Sequence, residues 1–183
     1  MLVILEGPDL CYKTTIAIAL EKFLHSSKLI TSGGPPRELS EEQIDLWSKC
    51  RLDMFYQLYQ SLYMLNKYGI DRVRLIMDRF IWSHAVYSEL VGREFDLQYI
   101  KNYDDKISKL SINKLCVLTA SPKTITERYK QRGDYKFDDK QIIKAVDLYK
   151  KYISQSKLPV KYFDTTNKSS IEVLLEVIEW VEK

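Results

Sequence analysis

The sequence predicts an α/β protein in which a five-stranded parallel sheet is covered by helices on both faces, giving three layers. Three observations predict it. Five short apolar runs are separated by longer stretches with helical periodicity, an alternation that requires crossover connections and therefore parallel strands. The first run, Leu2 to Leu5, is continuously apolar, as a strand buried on both faces must be. Gly and Pro fall between the periodic segments or, as Pro122 does, at the start of one, so they punctuate the elements.

In chain order, Leu2–Leu5 is read as a strand and Thr14–Ser26 as a helix. Leu29–Thr31 is a second strand, and Ser32-Gly33-Gly34-Pro35-Pro36 must be a loop because it breaks both regular periods. A long helix starts near Ser40, where Ser-Glu-Glu-Gln puts Gln43 at the third helical position of a capping box, and runs to about Tyr68, ended by Gly69. Val73–Met77, Lys114–Thr119 and Val160–Phe163 are the remaining strands. The helices between and after them are about Trp82–Val91, Asp96–Leu110, Pro122–Gln131, Asp138–Lys157 and Ser169–Val181. In such a sheet the strand C-termini lie along one edge, and ligands bind there.

At 183 residues the chain suits one domain, 1–183, large enough for a proper core. Hydrophobic residues make up 45% and charged residues 29%, an ordinary globular mix, and no apolar run reaches the length of a membrane span. The N-terminal run reads as a buried strand, being short for a signal peptide and without a basic region before it. Three cysteines, Cys11, Cys50 and Cys116, have no metal-like spacing and fit free thiols in a reducing cytoplasm. A net charge of +3 with no long basic run argues against stable nucleic-acid binding.

The segment after the first strand, Glu6-Gly7-Pro8-Asp9-Leu10-Cys11-Tyr12-Lys13-Thr14-Thr15, has Gly7, Lys13 and Thr14 at the spacing of a phosphate-binding loop. In such a loop backbone N–H groups and a helix N-terminus cradle a phosphate. Lys13 would reach the β- and γ-phosphates and the Thr14 hydroxyl would ligate Mg²⁺. Tyr12 stands where the pattern has its second glycine. Two outcomes are open: the ring points outward and leaves the amides in place, or it narrows the loop and shifts Lys13.

These residues resemble the thymidylate kinase family, closest to its small bacteriophage-type members, which read Glu-Gly-Pro-Asp-x-Cys-Gly-Lys-Thr-Thr here. A second match is Asp78-Arg79-Phe80-Ile81-Trp82-Ser83-His84-Ala85-Val86-Tyr87, similar to Asp-Arg-Tyr-x-x-Ser-x-x-Ala-Tyr/Phe. A third, Leu46-Trp47-Ser48-Lys49-Cys50-Arg51, is similar to Leu-Phe-Ser-x-x-Arg, and a fourth, Glu127 to Asp134, looks like the family's lid, about 128–138.

The resemblance implies a P-loop kinase fold and a kinase that uses ATP and Mg²⁺ to phosphorylate a deoxynucleoside monophosphate, dTMP foremost. Gly7, Tyr12, Lys13, Thr14 and Thr15 would form the donor-binding loop, with Thr14 and Asp78 at the metal. Lys13, Asp78, Arg79, Arg128 and Arg132 would be catalytic, the two lid arginines neutralising the migrating phosphoryl group. Asp9 would contact the sugar 3′-hydroxyl, Arg79 the acceptor phosphate, Trp47 and Arg51 the base, and Ser83 and Tyr87 the acceptor nucleoside. Arg37 sits where relatives present an arginine to the acceptor phosphate; a solvated loop arginine is the other reading, and for Trp47 a core position is. His84 is read as lining the pocket or a helix face and not as a base. The resemblance also implies a homodimer and a viral gene acting in a host cytoplasm. A related kinase for a deoxynucleoside or a modified pyrimidine in a nucleotide or in DNA stays open, as does a degenerate loop that binds nucleotide without turnover because of Tyr12.

Overall fold

A computed structural model describes residues 1–36, 38–69, 73–110, 113–133 and 137–183. Twelve elements follow in order: β1 (Leu2–Glu6), α1 (Lys13–Phe23), β2 (Ser27–Thr31), α2 (Glu41–Lys67), β3 (Arg74–Asp78), α3 (Trp82–Leu90), α4 (Leu97–Ser108), β4 (Asn113–Thr119), α5 (Pro122–Arg132), α6 (Asp139–Ile153), β5 (Val160–Asp164) and α7 (Ser170–Glu182). The strands form one sheet in the order β2-β3-β1-β4-β5. Every pairing is parallel, with Leu5 opposite both Asp78 and Cys116. The fold class read from the sequence is therefore the observed one.

The two-residue period of the strands divides the core. Leu2, Ile4, Leu75, Met77, Leu115 and Val117 face one layer, where α2, α3, α4 and most of α6 pack. Val3, Leu5, Ile76, Cys116, Leu118 and Phe163 face the other, against α1, α5 and α7. All five residues of β1 are buried, so the phosphate loop grows out of a strand anchored along its whole length. The chain leaves β1 toward one edge and later returns past it, so the strand order reverses beside that loop, the place where open α/β sheets bind ligands.

Local signals set most boundaries. The capping box at Ser40 and Gln43 forms, and Gly69 follows α2 with φ 71°. Two helices end earlier than the periodicity implies. Helix α1 stops at Phe23, and the chain turns through Ser26 at φ 53° while the Ser27 hydroxyl bonds the Leu24 and Glu21 carbonyls. Helix α6 stops at Ile153 because Asp104 of α4 accepts from the Ser156 hydroxyl and the Lys157 N–H, both at 2.6 Å. Cys11 and Cys116 are buried free thiols and Cys50 is exposed. Among the described residues no helix is long and apolar enough to cross a membrane.

Candidate active site

Gly7 cannot be anything else. Its φ is 137°, and a Cβ built on it would lie 1.9 Å from the Leu118 carbonyl oxygen of β4. The loop then passes through Leu10 at φ 61° and Tyr12 at φ 63°, ψ 8°, so Tyr12 takes the left-handed conformation that glycine adopts freely. Helix α1 starts directly afterwards with no acidic side chain in its first turn, which leaves its N-terminal N–H groups and dipole available to an anion.

Lys13 is buried, and its ammonium donates to the Pro8 carbonyl. Burial, with the nearby Arg79 charge second, lowers its pKa from 10.5 to about 8. The Thr14 hydroxyl donates to Asp78 Oδ2 at 2.5 Å. Asp78 Oδ1 is buried without a hydrogen-bond partner among the described residues. A hydroxyl and a carboxylate with an orphaned oxygen, side by side at the loop, are the hard oxygen donors that Mg²⁺ takes together with phosphate oxygens, so the site fits that ion. Thr15 is exposed beside them.

Arg79 follows β3 at φ 67° with its N–H bonded to the Leu5 carbonyl at 2.9 Å. Its guanidinium is ion-paired with Asp9, donates to the Tyr149 hydroxyl at 3.3 Å and lies 4.6 Å from the Tyr87 ring centre. Asp9 also accepts from the Tyr129 hydroxyl at 3.3 Å. Beneath this group sits Glu6, fully buried, which accepts from the backbone N–H of Phe80, Trp82 and Ser83 and from the Ser83 hydroxyl. Burial pushes its pKa up, against those hydrogen bonds and the Arg79 charge. Ser83 also shares a 2.9 Å hydrogen bond with Tyr149.

A cavity of about 550 Å³ opens from this cluster. Thr14, Asp78, Arg79 and Asp9 line it, together with Trp47 and Arg51 of α2 and Ser83 and Tyr87 of α3. Trp47 is half-buried on the cavity and is not a core residue. The Arg51 guanidinium stacks 4.1 Å from the Trp47 ring centre and donates to the Gly33 carbonyl at 3.0 Å. Desolvation lowers its pKa to about 10. His84 also faces the cavity. Burial holds its pKa at about 4 despite Asp45 at 3.8 Å, so the imidazole is neutral at physiological pH.

Arg128 of α5 is turned elsewhere. Its Nη1 donates to the Leu10 carbonyl at 2.8 Å and the Thr165 hydroxyl at 3.0 Å. Its Nη2 donates to the Thr165 carbonyl at 2.6 Å and the Tyr12 hydroxyl at 3.1 Å. The guanidinium stacks 4.3 Å from the Tyr12 ring centre. Arg132 ends the same helix, exposed, before Gly133 at φ 71°. Arg37 and residues 134–136 of the lid segment lie outside the described residues.

The structure thus gathers Asp9, Lys13, Thr14, Trp47, Arg51, Asp78, Arg79, Ser83 and Tyr87 around one loop and cavity, and sets Arg128 with Tyr12 on the loop's other flank. Sequence reading gave no role to Glu6, Tyr149 or Arg93, the last a further cation on the cavity wall. Glu6 carried a signal, being a charged residue ending an apolar strand. Tyr149 and Arg93 carried none, since only the tertiary fold brings them in.

No family model matches the sequence. The chain is similar along its length to solved structures: thymidylate kinase from Ehrlichia chaffeensis (TM-score 0.66, 16% identity, 99% and 98% of the two chains) and deoxyadenosine kinase from M. mycoides with products dCMP and a flexible dCDP bound (0.61, 18%, 100% and 99%). The fold is that of the P-loop nucleoside and nucleotide kinases. The SPbeta prophage-derived uncharacterized protein YorR of Bacillus subtilis (strain 168) is 31% identical over 186 residues, 99% of each chain. The crystal structure of YorR in complex with phosphorylated GDP superposes with a TM-score of 0.70 at 30% identity, over 100% of this chain and 96% of that one. The chain belongs to the YorR family.

Proposed function

We propose that the protein transfers the γ-phosphoryl group of Mg²⁺-ATP directly to the phosphate of a deoxynucleoside monophosphate, with dTMP the leading acceptor. The observation that carries this reading is one cavity lined both by residues of the phosphate loop and by the stacked Trp47–Arg51 pair. A base stacked on Trp47 would present a carbonyl to Arg51, and its phosphate would reach Arg79 and, by the family resemblance, Arg37. Asp9 would accept from the sugar hydroxyl.

The acceptor's chemistry follows from the carboxylates. Among the described lining residues these are Asp9 and Asp78, committed to Arg79 and to Thr14 respectively. A nucleoside hydroxyl needs a general base to lose its proton. A phosphate is already ionised and needs cations instead. The lining favours the phosphate.

Catalysis is positional and electrostatic. Lys13 and the α1 N-terminus hold the donor phosphates, Arg79 aligns the acceptor, and Arg132 on the lid, about 128–138, adds charge as it closes. Thr14 and Asp78 would hold Mg²⁺, which would supply neutralising charge to the donor phosphates. Arg128 contributes by fixing the loop wall. Tyr12 supports turnover and not a degenerate loop, because its left-handed backbone is the one a glycine would supply there.

The complex of YorR with phosphorylated GDP favours a second reading, in which a guanine nucleotide occupies the site. The exposed face of α2, with Leu46, Met54, Leu58, Leu65 and Tyr68 all more than a third exposed along one stripe, supports a homodimer. A prophage-derived relative is consistent with action in a bacterial host's cytoplasm. The test is ADP release from Mg²⁺-ATP with a panel of deoxynucleoside monophosphates, deoxynucleosides and an oligonucleotide, with Lys13→Ala as control. Turnover with dTMP that the control loses supports the first reading; turnover only with dGMP transfers it to the second. Turnover confined to deoxynucleosides, or none, refutes both.

A further inference from the structure

The polar groups of the cavity fall into two sets. Asp9, Thr14, Asp78, Arg79 and Ser83 are tied to one another, to Glu6 or to Tyr149 by hydrogen bonds and ion pairs. His84, Ser88 and Arg93 line the same cavity and are not tied. Ser88 lies one turn beyond His84 on α3 and is 2% exposed, yet its hydroxyl has no partner among the described residues. Neither nitrogen of His84 makes a hydrogen bond among the described residues, and there the Arg93 guanidinium makes no hydrogen bond or ion pair. Buried polar groups of a folded protein are almost always paired, so an unpaired set on one cavity wall points to a polar ligand edge.

His84 is also given a direction. Its Nε2 lies 3.8 Å from Asp45 Oδ1, a buried oxygen with no hydrogen-bond partner among the described residues, while Oδ2 of the same carboxylate holds Lys49 at 2.7 Å. A proton on Nε2 faces that oxygen favourably, whereas a lone pair there would face another lone pair. The carboxylate therefore favours the tautomer protonated at Nε2, which leaves Nδ1 as an acceptor. Burial keeps the ring uncharged near neutral pH, with a pKa of about 4, so the acceptor is not lost to a second proton. The charges of Arg93 and Arg51 both act on this imidazole, so two guanidinium donors stand near one acceptor. An acceptor with guanidinium donors about it complements a ring N–H flanked by carbonyls.

We propose that His84, oriented by Asp45, determines acceptor specificity by accepting the ring N–H of an imide or lactam base. This deepens the kinase reading and rests on it. Thymine, uracil and guanine carry such an N–H beside a carbonyl. Cytosine and adenine present a ring-nitrogen lone pair at the corresponding place, which would meet the lone pair of Nδ1 on a wall withdrawn from water, an uncompensated loss. Both dTMP and dGMP satisfy the rule. It divides the deoxynucleotides by the hydrogen-bonding edge of the ring and not by ring size.

The experiment measures kcat/KM for dTMP and N3-methyl-dTMP, and for dGMP and N1-methyl-dGMP, with dCMP and dAMP alongside, in the wild type, His84→Leu and His84→Ala. Methylation removes the ring N–H and leaves the carbonyls. In the wild type the parent of the productive pair is expected to exceed its methylated form on the order of tenfold to a hundredfold. In both variants the parent should fall by that factor while the methylated form holds. Leucine keeps roughly the bulk of the imidazole and alanine relieves it, so a packing effect separates from a lost hydrogen bond. A parallel fall of both substrates would show that His84 only packs the wall. A rise of the methylated form with the parent unchanged would show a steric filter. Wild-type turnover confined to dCMP and dAMP would show that no ring N–H is read. Each of these three results overturns the proposal. Nitrogen-15 NMR of the free protein reports the tautomer. The Nε2–H form is expected in the wild type, with Asp45→Leu shifting the population toward Nδ1–H; a wild type protonated at Nδ1, or a tautomer that Asp45→Leu leaves unchanged, overturns the Asp45–His84 pairing. A wild type that turns over no deoxynucleoside monophosphate overturns the kinase reading itself, so the two failures are distinct.

Discussion

Replacing Lys13 with methionine is expected to abolish phosphoryl transfer and to stabilise the unliganded protein. The lysine is buried at the mouth of the loop, and desolvation, then Arg79, bring its pKa from 10.5 to about 8. Keeping the folded-state ammonium charged at pH 7 therefore costs about 3 kcal/mol, at roughly 1.4 kcal/mol for each tenfold change in proton affinity. Methionine matches the stem and carries no charge. Against this, the Pro8 carbonyl loses its donor, worth about 1 kcal/mol. The net is about 2 kcal/mol of added stability, or a rise in Tm of about 4–8 °C for a chain of this size. The pH dependence has a definite sign. Because the folded pKa lies below the unfolded one, the unfolded state binds more protons between about pH 8 and 10.5. Wild-type stability gains over that interval as the penalty is relieved, so the advantage of the variant is full below about pH 8 and shrinks toward pH 10.5. Urea denaturation of both proteins at pH 7 and pH 10, with kcat measured alongside, tests this. The variant's kcat should fall by at least a factor on the order of 10²–10³. A variant less stable than the wild type at pH 7, or an advantage that does not change with pH, refutes the reasoning.

Gly7→Ala should cost about 3 kcal/mol or more in a denaturation midpoint, because its Cβ would overlap the Leu118 carbonyl and its φ of 137° suits glycine alone. Trp47→Ala and Arg51→Met should each raise the acceptor KM by about tenfold to a hundredfold in steady-state assays while the donor KM holds. The acceptor KM should show no step attributable to His84 between pH 5.5 and 8, roughly, since burial holds that imidazole near pKa 4; a step near 6.5 that His84→Gln removes would show it titrating there. Leu58→Glu on the exposed stripe of α2 should shift the light-scattering mass from two chains to one without altering the far-UV spectrum.

The sheet was legible because its cause is local: each strand is a short apolar run and each helix a longer periodic one, and parallel pairing follows from the alternation. The larger boundary error lies where a side chain far away in sequence decides the end of a helix. Nothing near Lys157 announces that Asp104 captures its N–H and ends α6 early. The site divides in the same way. A phosphate loop is a backbone device, written in consecutive residues, so Gly7, Lys13 and Thr14 were readable. Tyr12 was readable only as a departure; whether its ring blocks the loop depends on Arg128, 116 residues later. Trp47 was balanced between core and cavity, since helical periodicity alone gives the same half-apolar face for both.

The same distinction explains why a carboxylate is buried at Glu6. Taking an ionised group out of water is costly unless donors surround it. Glu6 has four, and three are consecutive-turn backbone groups of the segment that follows Arg79. The bonds therefore tie the end of β1 to the start of α3, with Arg79 between them at φ 67°. A non-glycine residue persists in that region only where its surroundings over-determine it. Arg79 is so determined: Glu6 fixes the chain after it, its own N–H is held by Leu5, and Asp9 and Tyr149 fix its guanidinium. The phosphate loop and Arg79, the residue proposed to hold the acceptor, are thereby referenced to the same two strand ends. Phosphoryl transfer by positioning needs that common reference more than it needs any single reactive group.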